Sequence, residues 1–315
     1  MIPLEQIERA GQTIRGAAIR TPLVRLDAPE AAAEIWLKLE CLQPIGSFKI
    51  RGAANAIRQA QPEQVARGVV TASAGNMAQG VAWAARELGV PATIVVPEHA
   101  PATKLAAIER LGGTIVKVPY ERWWQAIVES RYDGVGGFFV HPVQDERVMA
   151  GNGTIGLELA EDLPELDAVI VPWGGGGLFT GIASALTKLS PATRLYAVEP
   201  ETGAPLAAGL AGGTEGIDYR PSFVDGAGGK SLLPAMWERA RPLLAGSYVV
   251  SLDETAAAVR LLAERARVVA EGAGALALAA ALKHGRPGER VVCIVSGGNI
   301  DASRLSEILR GKTPG

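Results

Sequence analysis

Cysteine is nearly absent from this chain of 315 residues. Two residues, Cys41 and Cys293, cannot form a disulfide framework and read as reduced thiols of a cytoplasmic protein. Histidine is almost as scarce: His99, His141 and His284 show no metal-ligand spacing and read as incidental loop or core residues. Charge of neither sign dominates, with 31 basic against 33 acidic side chains and a formal net charge of −2. Without a basic tract, neither nucleic acid nor an anionic membrane surface is expected as the main partner. No apolar run reaches the length of a membrane span; residues 273–282 are apolar but too short. The first 20 residues are amphipathic, with charges throughout, and lack the apolar centre of a secretory signal. Internal repeats, low-complexity tracts and long linkers are missing too.

What is present is a hydrophobic fraction of 48%, enough for a substantial core, in a chain long enough for two lobes. Short β-branched runs alternate with alanine-rich amphipathic segments. Strands are predicted over 35–39, 69–72, 93–96, 114–118, 138–140, 168–171, 194–198 and 291–295. Helices are predicted over 77–88, 103–111, 122–130, 178–189, 255–269 and 273–283. That alternation implies an α/β fold with parallel sheets covered by helices. Trp123, Trp124 and Tyr132 read as a packing face, and 212–229 as a glycine-rich loop.

The stretch Gly46-Ser47-Phe48-Lys49-Ile50-Arg51-Gly52-Ala53 carries a lysine among apolar neighbours one turn inside the start of a predicted helix, with Ser47 as its N-cap. The positive end of the helix dipole and desolvation both disfavour the ammonium form. A neutral amine attacks carbonyls, so Lys49 is a candidate Schiff-base lysine. Taken alone, a structural lysine explains the stretch as well.

Three turns follow strands at the carboxyl edge of the sheets, where ligands bind in such folds. Ser73-Ala74-Gly75-Asn76 is small enough for backbone N–H groups to approach a carboxylate. Gly174-Gly175-Gly176-Gly177, between an apolar strand and a helix, is costly in backbone entropy unless its N–H groups wrap a phosphate. A mere turn needs one or two glycines. Ser296-Gly297-Gly298-Asn299 offers a hydroxyl to a ring nitrogen, or simply ends a strand. A rival reading joins Gly175, Gly177 and Gly181 with Glu199 into a dinucleotide-dependent oxidoreductase. Thr180 stands where that pattern wants its third glycine, and Lys49 is left without a role.

Lysine helix, Ser-Ala-Gly-Asn loop, tetraglycine and Ser-Gly-Gly-Asn occur in one order, together with Thr21-Pro22-Leu23, His141-Pro142 and Gly151-Asn152-Gly153-Thr154-Ile155-Gly156. This pattern resembles the pyridoxal-phosphate enzymes of the tryptophan-synthase-β fold, in particular the threonine/serine dehydratase and serine racemase family. The resemblance spans nearly the whole chain. It implies two interleaved lobes, residues 1–63 with 144–315 binding the cofactor and residues 64–143 forming a smaller mobile lobe. It makes Lys49 the cofactor-bearing and catalytic lysine, with Phe48 beside the ring and Asn76 on the phenolic oxygen. Gly174, Gly175, Gly176 and Gly177 would hold the phosphate, Ser296 would face the pyridine nitrogen, and Glu271 would lie near the ring. Ser73, Ala74, Gly75 and Asn76 would clasp the carboxylate of a small amino-acid substrate.

The activity so implied is loss of water from a β-hydroxy amino acid, giving a 2-oxo acid and ammonia, in a homodimer. An amino-acid racemase is the alternative within the family, and a non-catalytic carrier of the cofactor a further one. Racemases of the family place a serine acid/base where this chain has Ala74, which favours dehydration. Dehydratases commonly have histidine where this chain has Met77, which suggests a more apolar mouth and a bulkier substrate. Glu199 matches an acid of the family's divalent-cation site, but Gly203 and Pro205 follow it, so no metal is expected. With 16 residues after Asn299, a separate regulatory domain is not expected either.

Overall fold

A computed structural model describes residues 1–213 and 217–315. In chain order, α1 (Leu4–Thr13), β1 (Leu23–Arg25), β2 (Glu34–Lys38), α2 (Lys49–Arg58) and α3 (Pro62–Val65) come first. Next are β3 (Val69–Ala72), α4 (Asn76–Leu88), β4 (Ala92–Pro97), α5 (Ala102–Arg110), β5 (Gly113–Val118), α6 (Tyr120–Glu129) and β6 (Phe138–Phe139). Then follow α7 (Glu146–Asp162), β7 (Ala168–Pro172), α8 (Gly177–Leu189), β8 (Arg194–Pro200) and α9 (Pro205–Leu210). The chain closes with α10 (Pro234–Ala240), β9 (Gly246–Val250), α11 (Leu252–Leu261), α12 (Gly272–His284), β10 (Arg290–Ile294) and α13 (Ala302–Leu309).

The strands form two sheets, a six-stranded one ordered β1-β2-β10-β7-β8-β9 and a four-stranded one ordered β5-β4-β3-β6. Among the described residues every pairing is parallel except β1 with β2, an antiparallel edge on an otherwise parallel sheet. Parallel strands need crossovers, and the crossovers bring helices onto both faces. Side chains alternate accordingly. Ala168 and Ile170 of β7 pack with α11 and α12, while Val169 and Val171 pack with Ile155 of α7 and Phe179 of α8. In the smaller sheet, Val69 and Ile94 face α2 and α4, and Val70 and Val95 face Ala126 and Ile127 of α6.

The predicted strands and helices all exist, with ends shifted by a few residues. The 255–269 helix is the largest exception: α11 starts at Leu252, and its last turn, Leu262–Ala266, widens to π geometry. The seventeen-residue α7, with β9, α10 and α13, lies outside those predictions. Gly151, Gly153 and Gly156 hide α7 from a propensity reading, because glycine costs about 1 kcal/mol in a helix interior. Their use is contact. A Cβ on Gly153 would stand 2.9 Å from the Gly181 carbonyl, and one on Gly156 would stand 2.8 Å from Ala185 Cβ. Both neighbours belong to α8, so α7 and α8 touch nearly backbone to backbone. In the glycine-rich loop, residues 214–216 lie outside the described residues, and 217–233 contains neither helix nor strand.

A closed network of charge lies behind α2. Arg51, 1% exposed, reaches Glu40 at 2.8 Å and Glu158 at 2.6 Å, and donates to Thr154. Lys38 Nζ meets the same Glu158 at 2.5 Å and donates to the Thr21 carbonyl. This ties α2 to β2 and α7.

Among the described residues, both cysteines are free and buried, and no helix is long and apolar enough to cross a membrane.

Candidate active site

The site begins with the segment after β10, which is joined to the segments of Phe48, Glu271 and Asn76. Phe48 N–H donates to the Ser296 carbonyl at 3.0 Å, and Gly298 N–H to the Gly46 carbonyl at 2.8 Å. Ser47 forms an isolated bridge with Gly297, whose carbonyl accepts from Glu271 N–H at 3.0 Å. Asn299 Nδ2 donates to the Ile45 carbonyl at 2.9 Å and to Asn76 Oδ1 at 2.7 Å. Asn76 Nδ2 in turn donates to Glu271 Oε1 at 2.8 Å. Phe48, Lys49, Asn76, Glu271 and Ser296 are thus gathered through one stitched strand end.

Lys49 is the first residue of α2, not a residue one turn inside it. The expected Ser47 cap is absent: Phe48 occupies the N-cap position without a side-chain bond, and the Ser47 hydroxyl is buried and unpartnered. Geometry explains the shift, because pairing with Gly297 holds Ser47 extended and delays the helix. The Lys49 amine lies 5.2 Å from the Phe48 ring centroid and donates to the Pro142 carbonyl at 3.3 Å. Desolvation lowers its pKa from 10.5 to about 8, against the opposing pull of Glu271. Burial raises the Glu271 carboxyl to about 7, helped by Asp225 and opposed by the Asn76 hydrogen bond, Lys104 and Lys49.

The tetraglycine turn connects β7 to α8. Gly176 sits at φ +91°, where a side chain is strained, and a Cβ there would meet the Trp173 ring at 2.6 Å. A Cβ on Gly175 would strike Val143 Cγ2 at 2.5 Å, and one on Gly177 would reach the Val143 carbonyl at 3.0 Å. A Cβ on Gly174 would stand 3.3 Å from the Gly226 carbonyl. The four glycines therefore let Trp173 and Val143 press against the turn as much as they clear a path to its N–H groups. Those groups open α8, where the helix dipole favours an anion.

Ser73, Ala74 and Gly75 lead from β3 into α4, which begins at Asn76. The Ser73 N–H extends the ladder by donating to the Val95 carbonyl at 3.1 Å, and the Ser73 hydroxyl accepts from Gly75 N–H at 3.3 Å. Ala74 N–H, Asn76 N–H and the hydroxyl hydrogen of Ser73 remain for a carboxylate. Met77 corrects an expectation: it is 2% exposed and packs in the core shared by α2, α4 and the small sheet. It does not make the mouth more apolar.

Two residues matter here that were given no role from the sequence: His141, read as incidental, and Val143. His141 is buried, and its Nδ1 accepts from Val143 N–H at 3.0 Å and Gln144 N–H at 2.8 Å. Val143 itself is the side chain that meets Gly175. The signal for both was their position directly after a predicted strand. Glu199, the acid invoked for a ribose or a cation, is fully buried and accepts from Leu206 and Ala207 N–H at 3.0 and 2.9 Å. Its oxygens cap α9, which removes the acid that the oxidoreductase reading needs.

An aromatic aldehyde carrying a phosphate fits this donor set. The amine is desolvated and half neutral near pH 8, a helix-opening turn has no side chains, and one Asn76 Nδ2 hydrogen is uncommitted. Ser296 is 4% exposed and neutral, compatible with an uncharged ring nitrogen.

The family described as pyridoxal-phosphate dependent enzyme matches residues 14–297. An L-threonine ammonia-lyase of Thermotoga maritima is 40% identical over 315 residues, covering 98% of this chain and 78% of the relative. A catabolic L-threonine dehydratase of Staphylococcus aureus is 38% identical over 326 residues, covering 98% and 92%. The solved structure of maize serine racemase superposes with a TM-score of 0.86 at 33% identity, covering 98% and 96%.

Proposed function

The chain belongs to the pyridoxal-phosphate dependent enzymes, and on that footing we propose that it removes water from a β-hydroxy amino acid of the L-threonine or L-serine type. The products are a 2-oxo acid and ammonia. The observation that carries the reading is the Lys49 amine, desolvated to a pKa of about 8 and gathered with Asn76, Glu271 and Ser296.

When bound, pyridoxal phosphate supplies an aldehyde that condenses with amines and a conjugated ring that accepts electron density from the substrate α-carbon. Gly174, Gly175, Gly176 and Gly177 would hold the phosphate, Asn76 the phenolic oxygen and Ser296 the ring nitrogen, with Phe48 alongside. Lys49 would hold the aldehyde at rest, and its amine, when free, would take the substrate α-proton as general base. Ser73, Ala74, Gly75 and Asn76 orient the substrate carboxylate, which sets the α-C–H bond toward Lys49. Ala74 offers no proton on the opposite face, so racemisation lacks its second acid. Loss of the β-hydroxyl with a proton, as water, leaves an enamine, and hydrolysis of its imine tautomer by one water gives the 2-oxo acid and releases ammonia.

The division into residues 1–63 with 144–315 and a moving unit of 64–143 belongs to the same proposal. Two separate sheets, met across the Asn76–Glu271 bond, support it. A cytoplasmic location, consistent with two free buried thiols, and a homodimer, which sedimentation would test, belong to the proposal as well.

The test is a visible spectrum of purified protein before and after borohydride, with peptide mass analysis. A reduced cofactor adduct on Lys49, followed by oxo acid from L-threonine, L-serine or L-threo-phenylserine, is expected. No adduct on Lys49 in cofactor-loaded protein would refute the reading, and D-isomer as the main product would replace lyase with racemase.

A further inference from the structure

We propose that His141 is a positioning residue that sets Lys49 and the tetraglycine turn in register with each other. This rests on the reading of both as the cofactor's anchors.

The imidazole sits just after β6, where the chain leaves the small sheet and heads for α7. Its Nδ1 accepts two backbone hydrogen bonds, from Val143 and Gln144, and so folds residues 141–144 into a tight turn. The turn has two outward contacts. The Pro142 carbonyl accepts from Lys49 Nζ at 3.3 Å, and Val143 lies against the positions of Gly175 and Gly177. One ring nitrogen thus fixes a carbonyl on the reacting amine and a side chain on the phosphate turn. Strand β6 is anchored upstream, since Thr71 Oγ1 donates to the Val140 carbonyl at 2.8 Å. Asp145 downstream caps α7 through Arg147 N–H. The turn therefore cannot drift at either end, and the imidazole decides its shape.

Two donors on Nδ1 require that atom to be unprotonated, which makes the ring a neutral Nε2–H tautomer. The groups facing it agree in part and oppose in part. Burial and Lys49 favour the neutral ring, whereas Asp145 and the Ile127 backbone favour the charged one; the net direction is a lowered pKa. Protonation would turn the double acceptor into a donor facing two N–H groups and open the turn.

The experiment uses the holoenzyme and two variants. His141→Asn keeps an acceptor close to the Nδ1 position, and His141→Leu removes it. In His141→Leu, kcat for L-threonine should fall on the order of 100-fold, as expected for a misplaced reacting group. Cofactor should also dissociate more readily, while KM changes less. His141→Asn should recover most of both losses, which bulk or packing alone would not produce. Histidine-selective nitrogen NMR of the wild-type holoenzyme, assigned by the signal missing in His141→Asn, should show the neutral Nε2–H tautomer at pH 7.5. If His141→Leu fails to fold, the tautomer and the Asn variant decide the matter. An Nδ1–H tautomer, an imidazolium, or a Leu variant that retains cofactor and turns over like wild type would overturn the inference. Wild-type protein without a borohydride-trapped adduct on Lys49 would instead overturn the functional reading beneath it.

Discussion

Replacing Lys49 by methionine should stabilise the cofactor-free protein at pH 7. Methionine has nearly the same length and no charge to desolvate. Burial lowers the lysine pKa from 10.5 to about 8, and that depression is worth about 3 kcal/mol of penalty on the charged form. Lys49 keeps some accessible surface, so this figure is a ceiling. The lost hydrogen bond to the Pro142 carbonyl offsets about 1 kcal/mol of it. Between pH 8 and 10.5 the unfolded lysine binds a proton that the folded one has shed, so wild-type stability gains on the variant as pH rises through that window. The advantage of Lys49→Met should therefore be about 2 kcal/mol at pH 7 and should disappear, or reverse slightly, above pH 10.5. Urea unfolding of both proteins after cofactor removal, at pH 7 and pH 10.5, measures it. A methionine variant that is no more stable at pH 7, or a difference that ignores pH, would refute the argument that the amine is held partly neutral by burial.

Other perturbations follow from the same geometry. Gly175→Ala puts a methyl 2.5 Å from Val143; it should weaken cofactor retention, measured by dialysis, and cost about 1–3 kcal/mol in urea unfolding. Arg51→Met leaves Glu40 buried without its partner and should destabilise by about 3–5 kcal/mol, read from the same unfolding curves. Glu271→Gln removes a carboxyl that burial raises from 4.5 to about 7. Since a raised acid loses stability as pH climbs through that window, the variant should show a flatter stability profile from pH 4.5 to 7. Glu199 keeps its own share of the slope. Ala74→Ser should raise the yield of D-isomer from L-serine by chiral chromatography, and an unchanged yield would contradict the role given to that alanine.

Much of the fold was legible because strand and turn chemistry are local. The run Val69–Ala72 reads as a buried strand and is one, all four residues being buried. Its successor turn is small because backbone must be approachable there. The α7 helix was not legible, since Gly151, Gly153 and Gly156 argue against a helix until α2 is known to lie against the first and α8 against the other two. Propensity counts entropy lost within a segment, and the compensating contact comes from elsewhere in the chain. Ser47 was misread for a related reason. Its type suits an N-cap, but the bridge to Gly297, 250 residues away, claims its backbone first.

The site shows the same division between residue identity and residue reason. Four consecutive glycines predicted an anion turn, yet Gly175 and Gly176 are also demanded by Val143 and the Trp173 ring. A glycine selected for packing and a glycine selected for ligand approach look alike in sequence. Met77 presents the reverse case: a position next to a binding loop suggested contact with substrate, but the first turn of α4 aims that side chain into the core. Asn76 and Met77 are adjacent, and about 100° of helix rotation separates their side chains. One reaches Glu271, and the other faces the core shared by α2, α4 and the small sheet. Substrate preference must then be set by residues on the Asn76 side of that helix and across from it. Substitution of Met77 by a smaller apolar residue should accordingly change stability rather than the ratio of kcat/KM between L-threonine and L-threo-phenylserine. A shift in that ratio without loss of stability would place Met77 at the mouth after all.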